Sequence, residues 1–145
     1  MATADGVPTP LYHVAKDLNH EFAVIANQLQ PLQSLGVYHV GMLPPGTLPL
    51  PNDATFLLDP PLPVMDYTPP QPVEGLLLGY FGEADSPSHV LVVNLDYKQN
   101  ATRTIVGPGR LEIFDTTTSK WLVVGTNRAE LRIQPGGGVL VRVAR

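Results

Sequence analysis

The groups most able to do chemistry in this chain are scattered carboxylates, a serine–histidine neighbourhood and a few amide-bearing turns. Glu83 and Asp85 share one turn, while Asp53, Asp59 and Asp66 punctuate a proline-rich stretch. Hydrolysis of a glycosidic bond needs two carboxyl groups about 5–10 Å apart across a cleft. No spacing here sets such a pair, so these residues read as solvated turn carboxylates. Ser86, Ser88 and His89 are neighbours, but adjacency in sequence does not assemble a nucleophile, a base and an orienting acid.

Metal and phosphate chemistry find equally little. His13 and His20 are two helical turns apart, whereas helical metal ligands sit three or four residues apart. Asp17 and Glu21 form a like-charge pair that Lys16 relieves only in part, the mark of a wet helix face. Gly136-Gly137-Gly138 follows a proline and leads into a strand, without the helix and lysine of a phosphate-cradling loop. Asn100-Ala101-Thr102 fits the N-glycosylation pattern at an expected hairpin tip, and its plain reading is a chance match in a host that never glycosylates it. No cofactor, no metal site and no independent enzymatic activity are expected.

Sugar recognition is the stronger chemical alternative. Binding modules lay aromatic rings against sugar C–H faces and add polar side chains beside them. Trp121, Tyr80, Tyr97 and Tyr67 supply rings, with Asn94 and Asp96 as hydrogen-bonding neighbours. A binding module would align those rings on one exposed face; a structural domain would bury them.

Bulk composition narrows the partners. The chain has 145 residues, and its 43% hydrophobic content suffices for a core and argues against disorder. A net charge of −4 gives no basic face for nucleic acid or anionic lipid. With zero cysteines, disulfides and thiolate metal sites are excluded while the compartment stays open. No apolar run approaches the ~20 residues of a membrane span, and Met1–Pro10 lacks the pattern of an export signal. A signal upstream of a longer, exported precursor would not be visible here.

These side chains need elements to hold them. Thr9-Pro10 opens a helix with a hydroxyl cap and a proline at the first helical position. Leu11, Val14, Leu18, Phe22, Ile25, Leu29 and Leu32 then recur at steps of three or four, one stripe of a long amphipathic helix running to Leu35. Pro31 is expected to kink or restart the last turn, and Gly36 to close it. Burying the seven side chains is worth at most about 10–20 kcal/mol before ordering entropy opposes it. The stripe therefore calls for a cover: the β-half of the chain, an upstream domain, or a second copy.

From Gly36 to Pro72, prolines forbid continuous helix and central strands. This strap is expected to lie extended over a sandwich, with a short strand at Val37–Val40. Its anchors would be Phe56, Leu57, Leu58, Met65 and Tyr67. From Gly75 onward, short apolar runs alternate with turns, giving candidate strands at Leu76–Phe81, His89–Tyr97, Ala101–Val106, Arg110–Asp115, Trp121–Val124, Glu130–Gln134 and Gly138–Ala144. Alternation puts Leu111 with Ile113, Leu131 with Ile133, and Val139 with Val141 and Val143 on single faces, with Glu112, Arg132 and Arg142 opposite.

The run Leu18-Asn19-His20-Glu21 through Gly36-Val37-Tyr38-His39 resembles the last barrel helix and following strand of barrel-type glycoside hydrolases, β-galactosidase-like ones included. Val90-Leu91-Val92-Val93-Asn94-Leu95-Asp96 is similar to a central strand of their C-terminal β-domain, and Leu131 through Val141 to its closing hairpin. The resemblance implies an accessory domain that buttresses a barrel or contacts another subunit. The catalytic carboxylates of that family lie on barrel strands that have no counterpart here.

The sequence thus predicts a mostly β protein: an antiparallel β-sandwich of about seven to eight strands, with a long N-terminal amphipathic helix and a proline-rich strap. The divisions are 1–36 for the helix, 37–74 for the strap and 75–145 for the sandwich. The expected function is structural, through an upstream barrel, another subunit or self-association by the helix; carbohydrate binding is the alternative.

Overall fold

The computed structural model describes residues 10–43, 46–51, 53–59, 65–66, 75–83, 86–96 and 98–144, the side chains of 10–18, 42, 65 and 66 excepted. Among them the chain forms one helix and ten strands. Helix α1 spans Pro10–Leu29, about 30 Å at 1.5 Å per residue. It stops ahead of Pro31, which has no N–H to donate and whose ring crowds the carbonyl four residues back. The Gln30 N–H still reaches the Ala26 carbonyl at 3.0 Å, and the Leu32 N–H closes on Leu29 at 2.9 Å. The expected continuation to Leu35 is therefore corrected. Leu32 falls in the exit turn, and Gln33 already begins β1, Gln33–Leu43.

The strands are β2 (Leu57–Asp59), β3 (Met65–Asp66), β4 (Gly75–Glu83), β5 (Ser86–Asn94), β6 (Ala101–Val106), β7 (Leu111–Asp115), β8 (Lys120–Val123), β9 (Arg128–Ile133) and β10 (Gly138–Val143). They make a seven-stranded sheet, β3-β1-β4-β5-β10-β7-β8, and a three-stranded sheet, β2-β6-β9. Every pairing is antiparallel except the short one between β1 and β3. The fold is the mostly β, sandwich-like architecture that the alternation predicts. The expected count of seven to eight strands rises to ten because the strap contributes three.

That strap is built in rather than laid on. β1 pairs with β4 along nearly its whole length, from Gln33 opposite Gly82 to Gly41 opposite Gly75. β2 zips onto β6, placing Phe56 and Leu58 in the core at 0% and 5% exposure. The prolines leave these short strands at sheet margins, where missing donors cost least. Of the expected anchors, Phe56 and Leu58 are buried and Leu57 is half-buried. The Met65 side chain and Tyr67 lie outside the described residues.

Two apolar layers follow from one central strand. β5 is the fourth of seven strands, and it carries apolar side chains on both faces, as a strand covered twice must. Val90 and Val92 point into the sandwich with Leu76, Leu78, Ile105, Leu131, Ile133 and Val141. Leu91 points the other way, into a second cluster with Ile25, Phe114 and Leu140. Helix α1 supplies the roof of that second cluster. A β-carbon at Gly138 would sit 3.2 Å from the Phe22 ring, so the bare backbone there lets the helix approach. Leu11, Val14 and Leu18 belong to the helix, but their side chains lie outside the described residues.

The closing segment departs from the expected hairpin. β9 lies in the small sheet and β10 in the large one. The turn at Gln134–Gly137, closed by the Gly137 N–H on the Gln134 carbonyl at 2.9 Å, carries the chain between layers. Leu131 and Ile133 then meet Val139 and Val141 across the core instead of side by side. β4 and β5 do form a hairpin, with an irregularity between Phe81 and Gly82. Any β-carbon at Gly82 would strike the Ser86 carbonyl, so glycine is required at that close approach.

His39 on β1 gives the fold a pH dependence. Its N–H donates to the Leu48 carbonyl at 2.8 Å, while its ring Nδ1 is buried without a hydrogen-bond partner. Desolvation pushes its pKa below the ordinary histidine value. Between the ordinary value near 6.5 and the lowered one, the unfolded chain binds more protons than the native state. The stability is therefore whole above about pH 6.5 and is lost as pH falls through the lowered value. Melting temperatures recorded from pH 7.5 to 5 are expected to fall on acidification, and to fall less steeply in His39→Asn.

Candidate functional site

The side chains singled out for sugar contact do not gather on one exposed face. Tyr80 stands in the sandwich core at 4% exposure, edge-on to Tyr38 and to Phe56 at ring distances of 5.3 and 5.6 Å. Its hydroxyl donates to the Phe56 carbonyl at 2.5 Å and accepts from the Phe56 N–H at 3.2 Å. Burial is the main cause that pushes this phenol up to about 12, with the Phe56 backbone bond opposing and the neighbouring Tyr38 adding a little. The hydroxyl thus satisfies both backbone groups of one buried strap residue, a demand that any buried backbone makes.

Asn94 is equally committed. It is 2% exposed at the end of β5, where its amide donates to the carbonyls of Gln99 at 2.8 Å and Ile133 at 3.3 Å, with Gln134 at 3.4 Å. Its side-chain oxygen accepts the Asp96 N–H at 3.0 Å. Asp96 passes the pattern on, accepting the N–H groups of Lys98 and Gln99 at 2.8 and 3.2 Å. The pair is a latch between the β5–β6 turn and the end of β9. Beside it lies a shallow depression of about 240 Å³ that Gln99, Asn100, Thr102 and Arg103 also line. Tyr97 lies outside the described residues, as does Asp85.

Trp121 lies on the opposite face of the large sheet from Tyr80. It is half-buried and packs on Phe114 at a ring distance of 5.1 Å. Arg142 covers it with its guanidinium carbon 4.0 Å from the ring centre, a cation–π contact. Arg142 also binds Glu112 through Nε at 3.0 Å. His89 meets the tryptophan edge-on at 5.6 Å, and its Nδ1 lies 2.7 Å from the Ser88 hydroxyl. The serine and histidine of the sequence therefore touch. His89 is 7% exposed, however, and the nearby carboxylate of Glu112 is engaged by the arginine.

Two carboxylates, Glu21 and Asp115, line one cleft together with the Arg132 side chain. A cleft of about 380 Å³ opens where α1, β7 and β9 come together, lined by Glu21, Phe114, Asp115, Leu122, Arg132 and Gln134 among others. Glu21 accepts from Gln134 Nε2 at 2.7 Å, so this helix face is bridged to the β9–β10 turn as well as wetted. Asp115 accepts the Thr117 N–H at 2.9 Å and the Thr118 hydroxyl at 2.9 Å. Those bonds, the Thr117 N–H foremost, hold its carboxyl below the ordinary carboxylate range. A carboxylate so held serves as an anion and not as a proton donor.

Glu83 and Asp53 are exposed, and Asp59 pairs with Arg128 on the surface. His20 is exposed on α1, and no group of three His, Asp or Glu suited to a metal ion occurs among the described residues. No described helix is long and apolar enough to cross a membrane.

Sequence reasoning missed three connections: the Glu112–Arg142–Trp121 array, the Glu21–Gln134 bridge and the Tyr80 lock. Glu112 and Arg142 are visible as off-core residues on their strands, but their pairing requires the β7–β10 register, in which they stand opposite each other. With the geometry in place, comparison gives no further identification: no protein family, no curated protein and no solved structure matches this chain.

Proposed function

We propose that this chain is a non-catalytic structural β-domain, of the accessory kind that packs against the barrel of a glycoside hydrolase or against another subunit. One observation carries the proposal: the side chains best suited to ligand contact spend their hydrogen bonds on the fold. The Tyr80 hydroxyl serves the Phe56 backbone, and Asn94 ties three carbonyls. Trp121 lies beneath Arg142. The glycoside-hydrolase part of the reading rests on the sequence resemblance at Leu18–His39 and Val90–Asp96 alone. Carbohydrate binding is the second reading, favoured only by the half-buried edge of Trp121.

The acidic cleft provides the test. Incubated with a panel of chromogenic aryl glycosides from pH 4 to 8, the chain is expected to release no chromophore above the buffer rate. Saturable release that disappears in Asp115→Asn or Glu21→Gln would overturn the proposal, because both carboxylates line that cleft.

A further inference from the structure

We draw no further inference here: the strongest candidate, the apolar patch at the β7–β8 end of the large sheet, where Ile113 and its cross-strand partner Leu122 line the cleft and Leu122 stands 53% exposed, is an unpartnered face with nothing in the structure to show what covers it.

Discussion

Phe56→Ala is expected to destabilise the chain by about 3–5 kcal/mol, the range for deleting a buried aromatic ring. Phe56 is 0% exposed and directly precedes β2, whose Leu58 enters the same core. Its ring packs against Tyr80, and its backbone hangs on the Tyr80 hydroxyl. Losing the ring therefore opens a cavity and loosens the lock at once. Native stabilities are only about 5–15 kcal/mol, so the loss is a large fraction of the whole. Urea unfolding checks it: the midpoint should drop sharply, and Tyr80→Phe should show coupling to Phe56→Ala in a double-mutant cycle. A midpoint within experimental error of the parent would mean that the strap is not part of the core.

Ile25→Asp should be as damaging, for a different reason. Ile25 is 2% exposed at the centre of the second cluster, against Phe114 and Leu140. A carboxylate there loses its water without gaining a cation, and effects of that kind reach about 4–5 kcal/mol. Ala23→Asp, two residues away on the exposed side of the same helix, is the control and should cost little. If both variants melt alike, the helix is not the roof of the large sheet. If only Ile25→Asp loses helical circular dichroism together with the packing of Trp121, the second layer is real and cooperative.

Much of this architecture is legible in the sequence. The strand runs at Leu76–Phe81, Ala101–Val106, Arg110–Asp115 and Gly138–Ala144 stand out because short apolar-rich stretches are bounded by turn-forming residues. The amphipathic stripe likewise announces a helix that needs a cover. Its true end is less visible, since Pro31 both stops the helix and sits within three residues of a strand whose Ser34 and Gly36 break the alternation. The pairing with β4 shifts register between those two residues. The assignment of β9 and β10 to different sheets is invisible from their turn, because a glycine-rich loop serves a hairpin and a crossing equally well.

The site is less legible for a physical reason. Tyr80 and Asn94 have the same composition whether they face a ligand or a neighbouring strand. Their partners lie 24 and 39 residues away at Phe56 and Ile133. Alternation does mark Glu112 and Arg142 as facing away from the sandwich core. Only the register reveals that Arg142 stacks on Trp121 while bound to Glu112. Local pattern thus reports which face a residue takes, and long-range pairing decides whether its polar atoms remain free for chemistry.

Trp121 is the only tryptophan in the chain, so its fluorescence tests the structural role most directly. Titration with oligosaccharides of varied linkage into the millimolar range should leave its intensity and wavelength unchanged. A saturable, sugar-specific quench or blue shift, abolished by Trp121→Phe in a parallel calorimetric titration while the variant keeps its fold, would contradict that role and make this face of the large sheet a carbohydrate-binding surface.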